Sequence, residues 1–177
     1  MSKRLTTGIE LGEYASSILR QAQSFDRDLV WEDRAPGERH HSGVEQMLLA
    51  FAMELALKAW YVFDHDKDDF KRTHNLSKLF DELKLESQDR LEKEFQQTVV
   101  PYHPNGLYIE FGIKDVLRQH ADAFIDWRYL HERKKRGMSF HTSTFIATLE
   151  MVLRVFRTRY RTVKVEPLMA TRTKPTS

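Results

Sequence analysis

The stretch GVEQMLLAFAMELALKAWYVF, residues 43–63, decides the fold of this chain. Apolar side chains recur in it at steps of three and four residues, which is the period of an α-helix. They form two stripes on different sides, one through Val44, Met47, Leu48, Phe51, Leu55 and Val62 and another through Leu49, Met53, Leu57 and Trp60. A helix that is apolar on nearly all sides packs among other helices. The stretch therefore predicts the central helix of a bundle.

The sequence on both sides of this helix continues the helical pattern. Seven Gly and five Pro leave long uninterrupted intervals, and apolar residues in those intervals follow the helical period rather than strand alternation. Further helices are predicted over residues 10–31, within 73–84, and over 87–100, 113–135 and 139–161, with a brief extended segment at 107–111. We expect an all-α, up-and-down bundle of about five to six helices. One domain would span residues 1–165, and residues 166–177 would form a disordered tail.

Composition excludes several functional classes. No apolar run is as long as a membrane-spanning helix, and the first residues lack the apolar segment of a secretory signal. The absence of cysteine removes disulfides and thiol catalysis. The sequence contains no phosphate-binding loop, dinucleotide fingerprint or serine-hydrolase elbow. We therefore expect a cytoplasmic protein with no cofactor and no membrane partner.

The acidic residues Asp64, Asp66 and Asp68 resemble the opening of a calcium-binding loop. Such a loop needs a glycine at its sixth position and a bidentate glutamate at its twelfth. Here Asp69 and Asn75 stand at those positions. We interpret the acidic run as a solvated loop between helices and predict no metal site.

Charge is distributed unevenly along the chain. Residues 128–177 hold 12 Lys and Arg against three acids, whereas the remainder holds 16 against 23. The densest cationic run is Arg133, Lys134, Lys135 and Arg136. Such a run is either exposed charge that the helix dipole favours or the electrostatic footprint of a nucleic-acid site. These four residues are our candidates for nucleic-acid binding.

Two charged residues interrupt the most apolar helix. Glu54 and Lys58 lie one helical turn apart, and burying either without a partner is costly. At least one of them should therefore meet a polar group from another helix. The candidates for this structural polar core are Glu54, His74 and Arg128.

The helical pattern over residues 113–135 places His120, Arg128 and His131 on its apolar face. Arginine offers planar, bidentate donors, and histidine transfers protons near neutral pH. Together they suit the binding and cleavage of a phosphodiester, and they equally suit holding a buried carboxylate such as Glu54. The residue types favour the second role for Arg128, leave His131 open between the two, and indicate a core or boundary position for His120.

Three segments in order resemble the HEPN domain family. They are AFAMELALKAWY at residues 50–61, HNLSKLFDEL at 74–83 and AFIDWRYLHE at 123–132. The resemblance implies an up-and-down helical bundle that often forms dimers. Many HEPN proteins are metal-independent ribonucleases of toxin, antiphage or RNA-processing systems, whereas others act as binding or assembly modules.

Nuclease members of that family carry an arginine and a histidine separated by four to six residues, in a site composed across the dimer. Here two residues separate Arg128 from His131, whereas four separate Arg136 from His141 but include a predicted turn. The candidate catalytic residues are therefore Arg128, His131 and His141. Arg128 would stabilise the charge that develops on phosphorus, and a histidine would act as general acid or base.

These observations predict a HEPN-like protein that binds RNA or serves as an interaction module in a defence, toxin or stress system. The alternative is a metal-independent endoribonuclease with a composite site across a homodimer. The expected partners are a second copy of the chain, RNA and a cognate protein.

Overall fold

The computed structural model describes residues 3–28, 43–102, 111–129 and 140–169. Within these ranges the regular structure is helical and no strand occurs. The α-helices are α1 (Lys3–Asp28), α2 (Val44–His65), α3 (Leu76–Asp81), α4 (Leu85–Thr98), α5 (Ile113–Gln119), α6 (Ala123–Arg128) and α7 (Thr142–Met169). A short 3₁₀ helix, Val100–Tyr102, follows α4. The predicted all-α class, with helices packed as a bundle, is confirmed.

Helix α2 lies at the centre and packs against α1, α3, α6 and α7. Trp60 on α2 is fully buried, and its indole Nε1 donates a hydrogen bond to the carbonyl oxygen of Val152 on α7 at 3.3 Å. By length and hydropathy alone α2 could also cross a membrane. In the structure it is the core helix of the bundle, and Glu54 and Asp64 are among its buried residues.

Helix α1 packs along α2 with its start near the end of α2. Arg4 donates a hydrogen bond to the carbonyl oxygen of Asp66, which follows α2, at 3.0 Å. Further along α1, a Cβ at Gly12 would lie 2.6 Å from Cε1 of Phe156 on α7. Only glycine lets the α1 backbone approach that ring so closely. The backbone of α1 therefore contacts the Phe156 side chain of α7 directly at Gly12.

The ends of several helices differ from the predicted ones. Helix α1 begins at Lys3 rather than residue 10, and its predicted end at 29–31 lies outside the described residues. Helix α3 begins where predicted, because the Asn75 side chain accepts a hydrogen bond from the amide of Lys78 at 3.0 Å and caps its first turn. Helix α4 ends before Pro101, as its sequence predicts.

Helix α7 runs beyond its predicted end. It begins at Thr142 and continues to Met169, so it includes the first residues of the segment expected to be a disordered tail. Residues 170–177 lie outside the described residues, as does most of the predicted extended segment at 107–111.

The predicted continuous helix over residues 113–135 is wrong. The helix is interrupted at residues 120–122, between α5 and α6. The amide of Leu76 donates to the carbonyl oxygen of Ala121 in this turn at 2.9 Å, and the His120 side chain donates from Nδ1 back to the carbonyl oxygen of Val116 at 2.7 Å. The start of α3 thus docks on the turn.

Candidate functional site

Glu54 is the centre of a polar cluster inside the bundle. Its residue is 2% exposed, and its two carboxylate oxygens bond to different partners. Oε1 accepts from Nζ of Lys58 at 2.6 Å, one turn later on α2. Oε2 lies 2.8 Å from Nδ1 of His74, which precedes α3. Because a carboxylate only accepts hydrogen bonds, His74 carries a proton on Nδ1.

The far side of the His74 ring faces out of the bundle. Its side chain is 45% exposed, although Glu54 holds the ring from the buried side. The imidazole stacks on the ring of Phe124 from α6, with the ring centroids 4.7 Å apart. The Phe124 ring in turn packs against Phe51 of α2. His74 is thus fixed by a hydrogen bond and by stacking, which leaves Nε2 as its outward nitrogen.

Arg128 lies at the end of α6 and is exposed. Its guanidinium carbon is 5.9 Å from the centroid of the Phe124 ring and 5.3 Å from that of Tyr129. The carboxylate of Glu54 is held by Lys58 and His74 instead. The expectation that Arg128 clamps Glu54 is therefore corrected, because the turn before α6 carries Arg128 to the surface.

His74, Phe124, Arg128 and Tyr129 together form a patch that we call the Phe124 surface. It combines an exposed guanidinium, a group that can bind phosphate oxygens, with the part-buried rings of Phe124 and Tyr129. It also includes a half-exposed histidine, a residue type that can transfer protons. The structure places His74 and Arg128 against the same Phe124 ring.

The remaining predicted site residues have different surroundings. His141 lies beside His120 at the start of α7, with the ring centroids 6.1 Å apart. His131 and the four basic residues Arg133, Lys134, Lys135 and Arg136 lie outside the described residues. The structure therefore places Arg128 and His141 against different aromatic rings, and the pairing of Arg128 with His131 stays a prediction.

His120 is a buried histidine held in its neutral form. Nδ1 donates to Val116, and Nε2 accepts a hydrogen bond from the backbone amide of His141 at 3.1 Å. A proton on Nε2 would clash with that amide hydrogen and break this hydrogen bond. Burial lowers the pKa of His120 below its ordinary value of 6.5, the bond to Val116 raises it, and the nearby His141 lowers it further.

This lowered pKa predicts a loss of stability in acid. Between the folded pKa of His120 and its ordinary value of 6.5, the unfolded chain binds more protons than the folded chain. The contribution of His120 is therefore complete above pH 6.5 and decreases as the pH falls below it. We expect the free energy of unfolding, measured by urea denaturation, to fall more between about pH 7.5 and 5.5 in the wild type than in His120→Gln. Equal falls in the two proteins would contradict this role.

Sequence reasoning missed a second polar cluster, at Asp64. The Asp64 carboxylate accepts from the Ser87 hydroxyl at 2.6 Å, from the amide of Lys84 at 2.9 Å and from Nη1 of Arg159 at 2.7 Å. The acidic run was interpreted as solvated, yet Asp64 is 4% exposed. Helical spacing could have indicated that Asp64 is buried, because it follows Trp60 by one turn and lies on the same face of α2.

Within the described residues, no group of three His, Asp or Glu side chains lies close enough to hold a metal ion. Comparison of the chain with protein-family models, with curated proteins and with solved structures finds no match.

Proposed function

We propose that this chain is an RNA-binding, HEPN-like helical protein that acts in a defence, toxin or stress system and binds RNA through the Phe124 surface. The observation that carries the proposal is the state of Arg128. Its guanidinium is exposed and rests on the rings of Phe124 and Tyr129, and among the described residues no carboxylate pairs with it.

Other arginines of the bundle are neutralised by acids. Arg118 pairs with Asp115 on α5, and Arg154 on α7 pairs with Glu94 at 2.8 Å. An acid occupies the donors of a paired guanidinium, whereas a guanidinium that rests on aromatic rings and that no carboxylate of the described residues holds can offer its donors to a phosphate. Arg128 is therefore better suited than Arg118 or Arg154 to contact a phosphate.

The sequence after Arg128 supports the same interpretation. The run Arg133 to Arg136 follows within a few residues of the end of α6, so it adds four cations close in sequence to the Phe124 surface. Neutralising phosphates with Lys and Arg releases counterions and supplies most non-specific affinity for nucleic acid. The resemblance to HEPN domains adds the proposal of a homodimer, which sedimentation equilibrium of the purified chain would test, and of a cognate protein partner.

Arg128→Ala is expected to weaken RNA binding and to reduce its dependence on salt. Removing one phosphate contact should lower the slope of log K against log salt by about 0.7 on a single strand. We expect the dissociation constant to rise by about 10-fold, as the loss of one charge-assisted contact of 1.5 kcal/mol implies. Fluorescence anisotropy of a labelled single-stranded RNA over a salt series measures both quantities.

The matched control is Arg90→Ala. Arg90 is an exposed arginine on α4 and pairs with Glu86 at 3.5 Å, so its loss removes the same net charge away from the Phe124 surface. The control should bind RNA like the wild type. Equal weakening in both variants, or wild-type binding that does not change with salt, would contradict the proposed surface.

A further inference from the structure

The pair formed by Glu54 and His74 has a geometry that a structural ion pair does not require. Lys58 already neutralises the buried carboxylate of Glu54 at 2.6 Å and is itself largely buried, with a side chain that is 13% exposed. The second oxygen of Glu54 nevertheless holds the Nδ1 of a histidine whose side chain is 45% exposed. A carboxylate behind an outward imidazole fixes both the tautomer and the orientation of the ring.

His74 also lies beside the proposed phosphate-binding group. Its ring centroid is 4.7 Å from that of Phe124, and the guanidinium carbon of Arg128 is 5.9 Å from the same point. His74 and Arg128 therefore lie against the same ring, so a strand whose phosphate is held by Arg128 can reach His74 across Phe124. The ring contact of His141 is with His120 instead.

We propose that His74, oriented by Glu54, is a catalytic residue that transfers protons to and from RNA bound at the Phe124 surface, so that the protein cleaves the strand. This inference rests on the proposed function, because it requires RNA to bind at Arg128. In this proposal the histidine that transfers protons is His74, which precedes α3, and not His131 or His141, the candidates from the sequence.

The reaction needs only the strand and these side chains. Nε2 of His74 takes the proton of a ribose 2′-hydroxyl, and the 2′ oxygen attacks the adjacent phosphorus. The bond from phosphorus to the 5′ oxygen breaks as the new bond forms, and the proton passes from His74 to the leaving 5′ oxygen. The products are a 2′,3′-cyclic phosphate and a 5′-hydroxyl. Arg128 stabilises the negative charge that develops on the phosphate oxygens.

Glu54 acts through His74 and is a positioning residue. With the carboxylate in place, neutral His74 carries its proton on Nδ1 and presents a lone pair on Nε2. Replacement by glutamine removes the charge but keeps a group of similar size. We expect nitrogen-15 NMR of Glu54→Gln to show His74 also populating the tautomer protonated on Nε2. An unchanged tautomer would show that Glu54 does not set the position of the proton on His74.

The test measures binding and cleavage separately. Binding is measured with an RNA whose 2′ positions are all methylated, which cannot be cut by this route, and cleavage with the unmodified RNA in EDTA. We expect His74→Ala and His74→Asn, which keep Arg128, to lose far less affinity for the methylated RNA than Arg128→Ala does, and at saturating protein to cut the unmodified RNA roughly 100-fold to 10 000-fold more slowly than the wild type. Added imidazole should restore part of the cleavage to His74→Ala, which a folding role would not permit.

Each outcome bears on one proposal. Wild-type protein that binds the methylated RNA but does not cut the unmodified RNA overturns the role of His74 and leaves RNA binding intact. Cleavage that His74→Asn retains also overturns it, even when binding is normal. Absence of binding to the methylated RNA overturns the proposed function itself. Circular dichroism melting of both variants checks that they are folded.

Discussion

Replacing Asp64 by alanine is expected to lower the free energy of unfolding by about 3 kcal/mol, the low end of the cost of breaking a buried ion pair. Its carboxylate, which has no exposed surface, is the common acceptor for Ser87, for the amide of Lys84 and for Arg159. The substitution removes this acceptor from the Ser87 hydroxyl and the Lys84 amide, and it leaves Arg159 with its 2.9 Å bond to the Ser87 oxygen but without its carboxylate. Because Arg159 is itself 25% exposed, part of its charge can reach water, which keeps the cost at the low end.

For a chain of this length, a loss of about 3 kcal/mol lowers the midpoint of thermal unfolding by roughly 6 to 12 °C. The matched control is Asp68→Ala, which removes an exposed carboxylate from the same acidic run and should change stability by less than about 0.5 kcal/mol. The double variant Asp64→Ala/Arg159→Met should be more stable than Asp64→Ala alone, because it removes the unpaired cation. Equal stability of Asp64→Ala and Asp68→Ala would contradict the buried network.

Glu54→Ala is the second substitution with a large expected effect. It leaves Lys58 almost buried beside the ring of Phe70 without its carboxylate, at an expected cost of about 3 kcal/mol. His74→Ala removes one hydrogen bond and the stacking on Phe124, while Lys58 still neutralises Glu54, and should cost about 1 kcal/mol. Urea denaturation at neutral pH measures both values.

Arg128→Ala distinguishes this account from a core clamp. An exposed arginine that rests on two rings should change the free energy of unfolding by less than about 0.5 kcal/mol. The expected order of destabilisation is therefore Glu54, then His74, then Arg128. An Arg128→Ala variant as unstable as Glu54→Ala would show that the guanidinium serves the core and not the surface.

The central helix could be predicted from sequence because its apolar pattern is local. A helix with apolar stripes on two sides is stable in water only when both sides are buried. A glutamate within such a helix is therefore buried too and needs a polar or charged partner. The sequence indicated that Glu54 needs such a partner. It named both His74 and Arg128 as candidates but could not choose between them, because the position of His74 relative to α2 depends on how the loop after α2 folds back.

The break between α5 and α6 explains why the site was harder to predict than the fold. Apolar spacing continues through residues 113–128, so periodicity alone predicts one helix. The helix is nevertheless interrupted at residues 120–122, where the amide of Leu76, far away in sequence, donates to the carbonyl oxygen of Ala121. That tertiary hydrogen bond belongs to the docking of α3, and apolar spacing within residues 113–128 holds no sign of it.

The most direct test of the Phe124 surface is a nitrogen-15 NMR titration of the protein with the 2′-methylated single-stranded RNA. We predict that resonances of His74, Phe124, Arg128 and Tyr129 shift with RNA concentration, while those of Arg90 and its neighbours on α4 do not. Shifts confined to other helices, or no shifts at RNA concentrations that saturate binding by anisotropy, would contradict the account.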